Sequence, residues 1–125
     1  GKNQWFNVKI IRYGDVILMA AEAANELGNA AKAADYVNQI RKRARGNNAA
    51  LLPDVPADGN LKNAIKRERR IELAMEGERF YDLVRWGDAS TVLGPLGYQA
   101  KNKYYPIPQT AIDQSNGVLI QNPNY

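Results

Sequence analysis

Glu68 and Glu72, four residues apart, are the residues of this chain that come nearest to an acid–base pair. Carboxyl groups about 5 to 9.5 Å apart are what sugar hydrolysis uses, and two residues one helical turn apart stand at such a separation. The direction of approach is the obstacle. Both side chains project from one helix, whereas the acid and the nucleophile or base must flank a scissile bond from opposing sides. No reaction centre is therefore expected, and no enzyme. The helix offers another account of the pair. At about 100° per residue, Leu61, Ala64, Ile65, Ile71 and Met75 share one broad face, and Glu68 and Glu72 fall inside it. A carboxylate on a core-facing stripe needs a cation and further hydrogen bonds. Arg69 lies three residues before Glu72, and Asp82 lies three after Arg79 and three before Arg85, spacings that bring helical side chains together. Arg41 is placed to reach Glu72 from a neighbouring helix. The expected site is thus a structural ion-pair network of Glu68, Arg69, Glu72, Arg79, Asp82, Arg85 and Arg41, with Lys66, Arg67 and Arg70 left to solvent.

Composition narrows the chemistry further. The 125 residues include no Cys and no His, which excludes disulfides, Cys or His zinc sites, thiol nucleophiles and histidine-based triads. No cofactor and no metal site is expected. The length suits a single domain, 1–125, with a real core. No apolar run approaches the roughly 20 residues that span a bilayer, and the N-terminus lacks a signal-peptide pattern, so the segment reads as soluble. It opens at Gly1-Lys2 without Met, and any targeting or anchoring segment of a longer parent is expected to lie outside it. The net charge of +4 comes mainly from Arg41–Arg45 and Lys66–Arg70. Nucleic acid is an unfavoured partner, because Glu68 interrupts the second run and no aromatics interleave with the basic residues as a base-stacking surface needs. The first run ends a helix, where cations offset the dipole.

The elements that must position these residues are helical. Residues 1–11 look extended or irregular, with Trp5, Phe6, Val8 and Ile10 as apolar anchors. Tyr13, Val16, Ile17, Ala20, Ala24 and Leu27 then recur at helical spacing, and Leu18 and Met19 widen the apolar surface into that of a central helix. Gly28 ends it and Asn29 starts the next, whose inner stripe is Ala30, Ala33, Val37, Ile40 and Ala44. The result is a tight hairpin over 12–45 with tetratricopeptide-like spacing. Residues 46–60 are a loop, and Asn60 caps a third helix. Gly77 interrupts the charged helices of 60–86, and Phe80, Leu83, Val84 and Trp86 form a short fourth. Gly and Pro at 94, 95, 97, 106, 108 and 123 forbid a long helix in 88–125, yet Tyr104, Tyr105, Ile107, Ile112, Val118 and Leu119 are too apolar for a disordered tail. An ordered, mostly irregular C-terminal coil wrapped over the helices is expected. The fold class is all-α.

Four blocks in order give the chain a family likeness: Arg12–Ala23, Val37–Ala44, Glu68–Gly87, and a tail with Tyr105-Pro-Ile-Pro-Gln109 and Asn116–Tyr125. Together they resemble the C-terminal part of the SusD/RagB family of outer-membrane nutrient-binding lipoproteins, with Ala111 where the family often has Glu and Asn124 where it often has Gly. The resemblance implies a scaffold of tetratricopeptide-like hairpins. It implies a longer parent, lipid-anchored on the outer face of the outer membrane, that captures oligosaccharides and passes them to a SusC-type TonB-dependent transporter. The family's aromatic sugar-stacking platform lies mostly upstream of the matched region, so no glycan-binding residue is assigned. Trp5, Trp86, Tyr98 and Tyr104 suit sugar stacking but are expected to pack, and Met19 and Met75 to fill gaps. The competing reading is a free-standing tetratricopeptide-like adaptor that binds a peptide in a concave face.

Overall fold

The computed structural model describes residues 10–48 and 50–125, so Trp5, Phe6 and Val8 lie outside the described residues. The described residues are all-α and form two compact units, the first ending at Gly77 and the second running Glu78–Tyr125. The boundary falls between the third and fourth helices, inside what the sequence suggested as one domain.

The first unit begins with the hairpin of α1, Tyr13–Glu26, and α2, Ala30–Arg45. Gly28 takes φ 77°, the left-handed conformation that lets the chain reverse. Asn29 then caps α2, its side chain accepting the Lys32 N–H at 3.1 Å. Small residues bring the two helices together. Ala21, Ala24, Ala33, Ala34 and Val37 form one cluster with Leu61 and Ile65 from α3, Leu61–Glu72, while Ile17, Leu18 and Ile40 form a second. Tyr36 packs against both.

Three expectations for these faces are corrected. On α1, Tyr13, Val16, Met19 and Leu27 are exposed, so the buried stripe is Ile17, Leu18, Ala21 and Ala24 and a second apolar face is left open. On α2, Ala44 is exposed as well. On α3 the inward stripe is Leu61, Ile65, Glu68, Arg69 and Glu72, the i, i+4, i+7, i+8, i+11 rows of one face. Ile71 is rotated about 100° off that stripe and is exposed. The helix stops at Glu72, before Gly77, and Met75 turns left-handed with φ 68° and its side chain fully in solvent. Asn60 makes no side-chain cap to α3. Its amide oxygen is occupied by Asn63 Nδ2 at 3.1 Å, and the loop before it is ordered by Asp58, which accepts the Asn60 N–H at 2.9 Å.

The connecting loop is tied to α2 by side chains that imitate peptide groups. Asn38 donates to the Val55 carbonyl at 3.0 Å and accepts the Val55 N–H at 2.8 Å. Arg45 donates to the Leu52 carbonyl at 2.8 Å and also pairs with Asp54.

The second unit comprises α4, Glu78–Arg85, α5, Ala89–Leu93, two 3₁₀ turns at Gly94–Leu96 and Ala100–Lys103, and α6, Gln109–Gln114. Helical turns thus punctuate the segment expected to be coil. Ile107 is the one residue between Pro106 and Pro108 and carries the only backbone donor of that triplet. Gln121 captures it, accepting the Ile107 N–H at 2.8 Å and donating to the Ile107 carbonyl at 2.9 Å. Asn122 Nδ2 donates to the Tyr105 carbonyl at 2.6 Å, and the Tyr125 hydroxyl to the Tyr104 carbonyl at 2.9 Å. The tail therefore holds this segment at Tyr104, Tyr105 and Ile107.

Candidate functional site: an ion-pair lattice inside the helical hairpin

The charges of α3 face inward and meet charges from two other segments. Glu68 Oε2 accepts Arg41 Nε of α2 at 2.9 Å, both side chains being buried or nearly so. Arg69, 3 % exposed, places Nη1 2.9 Å from Asp15 Oδ1 in the first turn of α1. Glu72 Oε1 lies 2.5 Å from Arg12 Nη1, just ahead of α1, and 2.6 Å from Arg43 Nη2 on α2. Arg12 also donates to the backbone carbonyl of Glu72 and through Nε to Glu76 at 2.7 Å. Signs alternate along the seam, with cations from α2 and Arg12, anions from α3, and the Asp15–Arg69 pair reversed between them. Each buried charge has a partner of opposite sign and, at Arg12 and Arg41, a carbonyl as well. This is the condition under which charge tolerates burial.

The pairing differs from the one local spacing suggests. Arg69 turns to Asp15, Arg41 serves Glu68 and Arg43 serves Glu72. In the second unit Asp82 is buried and pairs with Arg85, three residues on, through Nε at 2.9 Å and Nη2 at 2.8 Å. Orientation favours Arg85 as a partner: a cation in the last turn of α4 faces the negative end of the helix, and one in the first turn, where Arg79 stands, faces the positive end. Lys66 is half-buried, and Arg67 and Arg70 are exposed.

Four charged residues of the lattice went unread in the sequence: Arg12, Asp15, Arg43 and Glu76. A fifth contribution is Gly14. A Cβ there would sit 2.5 Å from Arg12 Nη1 and 2.9 Å from Glu72 Oε1, distances no real Cβ contact tolerates, so the ion pair occupies the space a side chain would need. A glycine in the first turn of a good helix is costly relative to alanine, and that unexplained cost was the signal available. The Arg12 guanidinium is held charged well above its ordinary range by its hydrogen bonds to Glu76 and then Glu72. Arg12 in turn holds the Glu76 carboxyl below its usual range.

Chemically, the lattice has nothing to offer a substrate. Its carboxylates are capped by guanidinium groups, and among the described residues no buried side-chain nitrogen or oxygen lacks a hydrogen-bond partner. Among them, too, no group of three or more His, Cys, Asp or Glu is placed to hold a metal ion.

The aromatics of the second unit form a separate cluster. Phe80 contacts the rings of Tyr81, Tyr98 and Tyr105 at centroid distances of 5.8, 6.3 and 6.1 Å. Tyr104 and Tyr105, expected to pack, are both more than half exposed. Trp86 is half-buried, with the Arg85 guanidinium 4.8 Å from its ring centroid. A side-chain hydrogen bond with Tyr81 raises the Tyr105 phenol above its ordinary range.

A tetratricopeptide-like hairpin stacked on a further helix defines the class, a repeat-type helical scaffold. The chain belongs to the SusD family, whose sequence pattern it matches over residues 1–103. It is 34% identical to SusD-like protein P2 of Formosa agariphila, over all of this chain and 27% of that protein. Among solved structures, it superimposes on surface glycan-binding protein A of Bacteroides thetaiotaomicron with a TM-score of 0.73 at 35% identity, over 93% of this chain and 24% of that one. A laminarin-binding SusD-like protein gives a TM-score of 0.74 at 40% identity, over 92% of this chain and 22% of that one. The chain thus spans about a quarter of the length of these relatives.

Proposed function

We propose that this chain is the helical support of a non-enzymatic, cell-surface glycan-binding protein. In this reading the larger protein is lipid-anchored at the outer membrane and hands oligosaccharides to a SusC-type TonB-dependent transporter. The observation that carries it is the family match across the chain, since the relatives it resembles include proteins named for glycan and laminarin binding. The interior of the hairpin agrees with a supporting role. Its charges are spent on one another, which fixes the register of three helical segments and leaves no base or nucleophile free. No helix among the described residues is long and apolar enough to cross a membrane, so attachment falls to a segment other than these helices.

The test is a titration of the full-length protein against a panel of soluble β- and α-glucans, laminarin included, by calorimetry, with reducing-sugar release followed in parallel. Saturable binding with no release of reducing ends is expected. Steady release that disappears in Glu68→Gln or Glu72→Gln would refute the supporting role, and no binding to any glycan would refute the substrate class. Co-purification of a TonB-dependent barrel with the full-length protein from detergent extracts is the expected sign of the transporter partner.

A further inference from the structure

The aromatic cluster of the second unit ends in a patch that the ion-pair lattice does not account for. Half-buried Phe80 supports it, touching the rings of Tyr81 and Tyr105. Tyr81, Tyr105 and Tyr125 keep 55, 64 and 43% of their area in solvent. The hydrogen bond from Tyr81 raises the Tyr105 phenol, and Tyr125 stands near enough to add to the rise. Tyr125 is itself fixed at its hydroxyl, which donates to the Tyr104 carbonyl at 2.9 Å and accepts Asn102 Nδ2 at 3.3 Å. Half-buried Lys101 holds its ammonium 5.1 Å from the centre of the Tyr125 ring and forms no ion pair among the described residues. A second pair of the same kind, Lys103 over Tyr104 at 5.4 Å, falls on the other side of the segment, because Tyr104 is extended at φ −114°, ψ 152° and successive side chains of extended backbone alternate.

We infer that Tyr81, Tyr105, Tyr125 and Lys101 form a binding patch for an anionic pyranose, a sugar unit carrying a carboxylate or a sulfate ester. The inference rests on the reading of the chain as part of a glycan-binding protein, and it names the charge of one glycan that such a protein takes. Phenol rings offer flat apolar area to the C–H face of a pyranose and a polar tip to its rim. Rings already held by one another and by backbone carbonyls lose little freedom when a ligand arrives. The donors decide the charge. Tyr125 spends its hydroxyl hydrogen on Tyr104, the Tyr81–Tyr105 bond leaves a phenol hydrogen over, and the Lys101 ammonium has donors to spare. A cation resting on an aromatic face has given up part of its water without gaining a counter-charge, and an anionic sugar supplies one.

The test is calorimetry on the full-length protein with an oligogalacturonate, its methyl ester, a sulfated galactan oligosaccharide and a laminarin oligosaccharide, helix content being checked by circular dichroism. We expect an anionic oligosaccharide to bind and Lys101→Gln to weaken it at least roughly tenfold, the order of one charge-assisted hydrogen bond. Tyr105→Ala should weaken it as well, and Lys103→Gln should leave it unchanged. Galacturonate held through this patch loses as much on esterification as on Lys101→Gln, and the ester binds parent and Lys101→Gln alike. Preference for the uronate or the sulfated probe identifies the anion. Should Tyr105→Ala lose helix, the Lys101→Gln comparison carries the result. Anionic binding that Lys101→Gln leaves intact, or that Lys101→Gln and Lys103→Gln weaken equally, overturns the proposal. Laminarin binding with no anionic binding sinks this inference alone. Binding through Lys101 accompanied by steady release of reducing ends sinks the non-enzymatic reading and leaves the patch standing.

Discussion

The Arg12 guanidinium and the Glu72 carboxylate, 60 positions apart in the chain, meet at 2.5 Å directly over Gly14. Gly14→Ala is the simplest probe of that meeting. Helix propensity favours alanine by about 1 kcal/mol, while the new Cβ at 2.5 Å from Arg12 Nη1 must push the pair apart. We expect a net loss of about 1 to 3 kcal/mol in a urea melt, since displaced charged hydrogen bonds outweigh the propensity gain. A variant as stable as the parent would show that Arg12 moves aside freely.

Glu68 and Glu72 should not be equivalent. Removing Glu68 strands Arg41, whose side chain is only 13% exposed, so Glu68→Ala is expected to cost about 3 to 5 kcal/mol. Removing Glu72 strands Arg43, which is 61% exposed, and Arg12, which keeps Glu76. Glu72→Ala should therefore cost less, about 1 to 3 kcal/mol. Chemical denaturation of the two variants side by side checks the order, and a reversal would relocate the centre of the lattice.

Asp15 and Arg69 form the most enclosed pair. Arg69→Ala leaves a buried carboxylate alone and should lose about 3 to 5 kcal/mol. The double replacement Asp15→Leu with Arg69→Met removes both charges and should recover most of that loss, because buried pairs often trade evenly against apolar packing. A double-mutant cycle from urea midpoints gives the coupling, and strict additivity would mean the two side chains act independently.

Glu76 sets a pH dependence. Its folded-state pKa lies below the ordinary 4.5, chiefly through Arg12. Its contribution is therefore complete above that value and lost as pH falls through the depressed folded-state pKa. Arg12 is raised further from an already high value and titrates nowhere in reach. The acid limb of a stability–pH curve should be shallower in Glu76→Gln than in the parent below about pH 4.5, and only modestly so, because Glu76 is exposed. Identical limbs would mean that the Arg12–Glu76 contact does not persist in solution.

Gln121→Ala removes both hydrogen bonds to Ile107, where neither flanking proline can supply a donor. A loss of about 1 to 3 kcal/mol is expected, with faster hydrogen exchange at the Ile107 amide than at amides within α1. Unchanged exchange at that amide would show the clamp to be dispensable.

Much of the scaffold was legible because helical periodicity and turn chemistry are local. Ala33, Val37 and Ile40 mark the inner face of α2, and Gly28 with Asn29 marks the reversal, from sequence alone. The outer face of α1 was misread for a physical reason: an apolar residue left in solvent looks the same in sequence as one that is buried. Met75 misled similarly, since a residue beyond the helix end still fits the helical wheel. For the lattice, the presence of carboxylates on the inner face of α3 was readable, but their partners were not. Spacing within one helix proposes Arg69 for Glu72, whereas the actual match is set by which helix crosses at which height, and that depends on packing among Ala21, Ala33 and Leu61.

The close fit at Gly14 also bears on how this region can vary by descent. A side chain at position 14 must displace the tips of the base at 12 or the acid at 72, both of them ends of flexible side chains. Substitutions at the three positions should therefore be coupled, a larger residue at 14 being better accepted where 12 or 72 is shorter.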